Sequence, residues 1–286
     1  MSLTVLRTAG LVTVQDLGRV GFAHLGVPRG GALDAPAAAL ANRLVGNEPD
    51  RAVLEVTLTG MALRADQALT LAVTGARCEL RVDERHRPWG EPVSVAAGAV
   101  VEIGRATSGV RSYVAVSGGV DVAPVLGSRS TDTLAWVGPP VVVAGARLPV
   151  GHRAAGPRPV DASATPAATG QLTVRPGPRP DWFAADALDR LAATAYVVGP
   201  ASNRVGLRLS GRPVARARWD ELPSEGLVAG AVQVPPDGQP VVLLADHPVT
   251  GGYPVLAVVE TADLWRCAQL RPGDEVTFSL RPSAAG

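Results

Sequence analysis

Apolar and polar positions alternate over short stretches along most of this chain, and glycine, proline or aspartate interrupts them every few residues. That period belongs to half-buried strands rather than helices. In the first half it predicts strands at Leu3–Arg7, Val12–Gln15, Ala52–Val56, Leu69–Val73, Cys78–Val82, Val93–Ala96, Val100–Ile103 and Arg111–Val116. One helix breaks the series. Asp34 stands at an N-cap position, and Pro36 sits in the first turn, where its missing N–H costs nothing. Good helix formers follow from Ala37 to Leu44, and Gly46-Asn47 ends the run.

In the second half the same pattern predicts strands at Gln171–Arg175, Val205–Leu209, Ala231–Val234, Val241–Ala245, Val255–Val259 and Glu275–Leu280. Asp181 reads as the cap of a helix reaching Ala192, with Trp182, Phe183, Leu188 and Leu191 on its buried face. A shorter helix from Thr261 to Leu270 precedes the Pro272-Gly273-Asp274 turn. Between the halves, residues 151–170 lose all periodicity and are rich in alanine, proline, glycine, serine and threonine. The chain therefore reads as mainly β with a few helices, in two domains, 1–150 and 171–286, joined by a linker at 151–170.

Composition narrows the function more than the fold. A length of 286 residues leaves room for two ordinary domains. A net charge of +1 and 4% aromatic residues provide neither the basic patch nor the stacking platforms that nucleic acid or an anionic membrane would need. No apolar run approaches the roughly 18 residues of a membrane span, and the N-terminus enters a strand-like LTVLR with no signal region. A cytoplasmic protein is expected. All 27 cationic residues are arginine. Without lysine the chain can form no Schiff base, carry no Walker-type phosphate lysine and accept no covalent biotin. Cys78 and Cys267 stand far apart as free thiols, and the scattered His24, His86, His152 and His247 make no metal motif, so no metal site is expected.

The densest candidate chemistry lies in Glu221–Pro254. Two β-like runs joined by Pro-Pro-Asp-Gly end in Asp246, and Thr250 and Tyr253 flank the pair Gly251-Gly252. Glycines after a strand allow unusual backbone conformations or the close approach of another backbone or a ligand. The segment reads equally as a hairpin with a polar exit loop. Glu225 and Asp246 are two carboxylates that can take acid and base roles if their environments differ. Gln233 lies on one of the two strands.

Two further clusters carry hydrogen-bonding groups. Gln15 and Asp16 can bind an amide or orient a cation, and Arg19 can hold a carboxylate or phosphate in a fork; alternatively, Asp16 caps a turn and pairs with Arg19. Ser202, Asn203 and Arg204 suit a carboxylate or amide ligand, or form an Asx-type turn leading into a strand.

The ordered blocks QDLGRVG, GVPRGGALD, LANRLVGN, LEVT, YVAVSGGVDVAPVLGSRSTD, SNRVGLRL, ELPSEG, GAVQVPPDGQPVVLLAD and TGGYP resemble the biotin-dependent carboxyltransferase/allophanate hydrolase subunit 2 family. That family includes KipA-like proteins and the C-type subunit of bacterial 5-oxoprolinase. The resemblance implies two cyclophilin-like β-barrel domains. It implies two partners, a KipI-like B-type subunit and a lactam-utilisation A-type subunit, and ATP bound with a partner subunit. It implies opening of 5-oxoproline to glutamate. It also admits biotin-dependent carboxyl transfer to a urea-like amide, or non-catalytic binding of a KipI-like kinase inhibitor. In this setting Arg19 and Arg204 would anchor anionic groups, Gln15, Asn203 and Gln233 would meet amide edges, and Asp246 or Glu225 would move protons. Two positions depart from many relatives: Pro248-Val249 stand where Gln-Thr is common, and Val255 where lysine is common.

Overall fold

The computed structural model describes residues 2–152 and 168–281, so residues 153–167 of the expected linker lie outside the described residues. The described chain forms two compact units. The first takes 2–20, 30–132 and 136–152, and the second takes 21–29, 133–135 and 168–281.

The first unit contains β1 (Ser2–Thr8), β2 (Val12–Gln15), β3 (Val53–Thr57), β4 (Met61–Ala65), β5 (Leu69–Val82), β6 (Arg85–Arg87), β7 (Val93–Val95), β8 (Val100–Val116) and β9 (Arg147–Pro149), with helix α1 (Ala35–Leu44). The nine strands make one sheet, ordered β2-β3-β8-β4-β1-β9, with β5 pairing β6, β7 and β8. Alternation places Leu54, Met61, Leu63, Leu71, Leu80 and Ile103 in a shared core, each at most 2% exposed.

Helix α1 begins where the sequence places it. The Asp34 carboxylate accepts the Ala37 N–H at 3.0 Å, and the Asp34 N–H donates to the Tyr113 hydroxyl at 2.7 Å. That hydroxyl donates in turn to Glu55 at 2.9 Å, which ties the helix start to β3 and β8. Thr74 donates to the Ala37 carbonyl at 2.7 Å and fastens the same end to β5.

The second unit contains β10 (Gln171–Pro176), α2 (Ala187–Ala192), β11 (Tyr196–Val198), β12 (Gly206–Ser210), β13 (Glu225–Gly226), β14 (Ala231–Gln233), β15 (Val241–Leu243), β16 (Thr250–Gly251), β17 (Val255–Val259), α3 (Leu264–Cys267) and β18 (Glu275–Leu280). Seven of these strands close a barrel, β10-β17-β14-β15-β12-β11-β18, and parallel pairing of β18 with β10 completes the ring. Leu172, Val174, Leu207, Val232 and Phe278 are almost wholly buried, and Tyr196 meets Phe278 edge-on at 5.9 Å. The Pro235-to-Gly238 turn joins β14 to β15, with Gly238 at φ 75° and its N–H on the Pro235 carbonyl.

Two local expectations change. The pairs of strands expected at 69–82 and at 100–116 are single long strands, because irregular register around Gly75 to Leu80 lets the chain continue through its glycine. The helix expected from Asp181 to Ala192 is a 3-10 turn at Pro180–Trp182 followed by α2, and Asp181 caps neither. Phe183 forms a β-bridge with Arg216 instead, which breaks the helical path. No helix among the described residues is long and apolar enough to cross a membrane.

Candidate functional site

Within the second unit, Arg204 leads into β12 and Asp246 lies just beyond β15, two strands that pair side by side. Arg204 donates from Nε to Oδ2 and from Nη2 to Oδ1 of Asp246, both at 2.9 Å. The Asp246 N–H donates to the Arg204 carbonyl, so backbone and side chains lock the same two residues. Thr133 adds its N–H at 2.9 Å and its hydroxyl at 2.7 Å to Oδ2. The two charged side chains are 1% and 0% exposed. A guanidinium already forked on a carboxylate presents no open fork to a ligand, and this carboxylate is saturated by donors.

Asn203 and Ser202 serve the same turn. The Asn203 Oδ1 accepts the Val205 and Gly206 N–H groups at 2.8 and 3.2 Å, and the Ser202 hydroxyl accepts the Arg208 N–H at 3.1 Å. This is the Asx-turn arrangement. His247, which is 6% exposed, bonds through Nδ1 to the Pro248 carbonyl at 2.7 Å, and a carbonyl partner places the proton on Nδ1.

A second cluster surrounds the glycine pair. β13 pairs with β16 so that Glu225 faces Gly251 and Gly226 faces Thr250. Gln233 donates from Nε2 to the Tyr253 carbonyl at 3.1 Å and supports the loop from beneath. Neither Gly251 nor Gly252 takes a positive φ, so close approach is what requires glycine here. A Cβ on Gly252 would stand 2.9 Å from the Leu222 carbonyl oxygen, and one on Gly251 2.8 Å from Leu227 and 3.3 Å from the Gln233 amide nitrogen. Glu225, Gln233, Thr250, Gly251, Gly252 and Tyr253 are therefore neighbours along one paired edge. Glu225 has its own cation, since Arg179 forks onto both of its oxygens, one of them through Nε at 3.0 Å. The two candidate carboxylates thus have separate guanidinium partners, with Asp246 buried and Glu225 partly open at 29% side-chain exposure.

The first unit holds Gln15, Asp16 and Arg19 around another loop. Asp16 accepts from the Ser128 and Ser130 hydroxyls at 2.6 and 2.7 Å and from the Arg129 and Gly18 N–H groups at 2.6 and 2.8 Å. Burial pushes its carboxyl upward, but these four donors outweigh burial and hold it below its ordinary value. Gln15 donates to the Thr131 carbonyl at 2.9 Å, and Arg19, 2% exposed, donates to the Ser130 carbonyl at 2.5 Å. All three organise the 128–131 loop.

Arg179, Thr133 and Arg216 lie outside the motifs legible in the sequence. Arg216 donates to the Val234 carbonyl at 2.5 Å, beside the Gln233–Tyr253 contact, and its guanidinium lies 6.0 Å from the exposed Trp219 ring. Its one signal is the interleaving of arginine and tryptophan in Arg216-Ala217-Arg218-Trp219. Thr133 offers none, because its partner is 113 residues away. The described residues contain no group of histidine, cysteine, aspartate and glutamate side chains able to hold a metal ion.

Residues 25–280 match the family described as carboxyltransferase domain, subdomain A and B. Over 279 residues the chain is 37% identical to the C-type subunit of 5-oxoprolinase from Escherichia coli K12, covering 96% of this chain and 90% of that one. It is 33% identical to the urea amidolyase of Saccharomyces cerevisiae over 93% of this chain, but spans only 16% of that protein. The solved structure of TTHA0988 superposes with a TM-score of 0.87 at 36% identity, over 97% of this chain and 55% of that one.

Proposed function

The chain belongs to the carboxyltransferase-domain family, subdomain A and B, and from that premise we propose that it is the C-type subunit of an ATP-dependent 5-oxoprolinase. The observation that carries this reading is the nearly end-to-end match to the E. coli subunit of that name. In this reading the chain works in the cytoplasm with a KipI-like subunit and a lactam-utilisation subunit, and ATP binds with a partner subunit. The reaction adds water across the lactam C–N bond of 5-oxoproline, and ATP hydrolysis drives it towards glutamate.

The residues suit a planar amide substrate. Glu225, partly open and steadied by Arg179, is the proton-handling group of this proposal. Gln233, Thr250 and Tyr253 border the loop where an amide edge would lie, and close packing at Gly251 and Gly252 keeps that loop against its support. Asp246 and Arg204 position the turn that precedes β12 and the exit of β15. The test is reconstitution of the three subunits with 5-oxoproline and ATP. Glutamate release is expected from the complex and not from the isolated chain. ATP-dependent turnover by the isolated chain, or none by the assembled complex, would overturn the proposal.

A second reading, carboxyl transfer to a urea-like amide, draws on the similarity to urea amidolyase. Biotin would then have to be carried by another chain, because this one has no lysine to bear it. Carboxylation of urea in the presence of a biotinylated carrier protein, with no release of glutamate from 5-oxoproline, would favour that reading.

A further inference from the structure

We propose that Arg216, with the exposed Trp219 ring beside it, binds the carboxylate of the substrate near the glycine-pair loop. This rests on the oxoprolinase reading, which supplies a substrate with both a lactam and a carboxylate.

Most of the arginines around this loop in the second unit already have carboxylate partners. Arg179 pairs with Glu225, Arg204 with Asp246, and Arg218 with Asp181 and Asp220 while lying 4.8 Å over the Trp182 ring. Arg216 differs from these. Among the described residues no carboxylate forms an ion pair with it, its hydrogen bond goes to the Val234 carbonyl, and no partner meets its buried Nε. Burial pushes its pKa down, while Tyr253 and Asp237 act on it only through their longer-range charge. A partly desolvated guanidinium with unused donors gains most from an anion that offers two oxygens.

The backbone around it is fixed. Arg216 bridges Phe183, the Ala217 N–H donates to the Trp182 carbonyl, and the Ala184 N–H donates to the Ala215 carbonyl. Its guanidinium is held at Val234, whose N–H donates to the Pro254 carbonyl. That places the charge next to the residues following the glycine pair. The Trp219 ring, 70% exposed, lies 6.0 Å from the guanidinium, and Tyr253, 48% exposed, belongs to the neighbouring glycine-pair loop. A cation beside an open aromatic ring, near an amide-recognising loop, suits a small planar acid.

The test uses the full chain and the reconstituted complex. In the complex, Arg216→Gln should raise the KM for 5-oxoproline about 10- to 100-fold with kcat little changed, since a charge-assisted hydrogen bond is worth about 1.5–3 kcal/mol. Arg216→Lys should recover part of the loss, because it restores the charge but not the fork. On the full chain, 5-oxoproline should change the tryptophan fluorescence of wild type but not of Arg216→Gln or Trp219→Phe, and neutral 2-pyrrolidinone should be inert. An unchanged KM in a folded Arg216→Gln complex overturns the proposal. If the wild-type complex does not turn over 5-oxoproline, the oxoprolinase reading fails separately. The fluorescence arm, repeated with succinamate, then decides the anion site: binding that depends on Arg216 supports it, and its absence overturns it.

Discussion

Arg204 and Asp246 form a two-point ion pair from which water is almost wholly excluded, with both N···O distances at 2.9 Å. The pair joins neighbouring barrel strands and draws in Thr133 through two further hydrogen bonds. A buried ion pair is costly to form and still more costly to break on one side. That asymmetry decides how Asp246 should respond to substitution.

Asp246→Asn should destabilise the protein by about 3–5 kcal/mol, because it leaves the Arg204 charge buried without compensation. Urea denaturation of the purified chain measures this directly. A variant with wild-type stability and an assembled but inactive complex would instead place Asp246 in the chemistry.

Glu225→Gln should behave in the opposite way. The Arg179–Glu225 pair is partly solvent-exposed, so its loss should cost about 1 kcal/mol or less. Turnover by the reconstituted complex should fall on the order of 10²–10⁴-fold if Glu225 moves a proton. Near-normal turnover would remove it from that role.

Asp16 makes the fold sensitive to acid in a defined direction. Its folded-state pKa lies below the ordinary 3.8, so the folded chain binds a proton there less readily than the unfolded chain. The resulting stability is fully present above that value and is lost as pH falls through the lower, folded one. Asp16→Asn should flatten the dependence of stability on pH below about 4. Denaturant midpoints measured from neutral pH down through this range provide the test; parallel curves for mutant and wild type would contradict it.

The two glycines at 226 and 252 offer a matched comparison. Gly252→Ala places a Cβ 2.9 Å from the Leu222 carbonyl oxygen, whereas nothing lies within 4 Å of a Cβ on Gly226. Overpacking against backbone should cost about 1–3 kcal/mol at position 252, and Gly226→Ala should stay within about 0.5 kcal/mol of wild type. Melting curves of the two variants separate close approach from simple flexibility.

What the sequence made legible follows the range of each interaction. Helix α1 was readable because Asp34, Pro36 and the alanines that follow act within one turn of each other. The hairpin from Ala231 to Leu243 was readable because Pro235 to Gly238 carries its own turn chemistry. The strand alternation also located most of both sheets, and the ordered motif blocks identified the family. Long-range partners were not legible. Asp246 looked like an available carboxylate because neither Arg204, 42 residues away, nor Thr133, 113 residues away, declares itself as its partner. Asp181 resembled a cap, but the bridge from Phe183 to Arg216 overrides local helical preference. The continuity of residues 69–82 is hidden in the sequence, because an irregular register within a continuing strand has no distinct local signature.

The parallel closure of the barrel in the second unit also bears on how the protein is made. β18 is flanked by β10 on one side and β11 on the other, so a nascent chain that has not yet reached Glu275 leaves both of those strands with an open edge. Unpaired edges are templates for joining other chains. Barrel completion must therefore wait for the final strand, about a hundred residues after the first, which exposes the growing chain to misassembly throughout that interval. A premature stop anywhere before Glu275 should yield a sticky, chaperone-dependent product rather than a smaller working barrel.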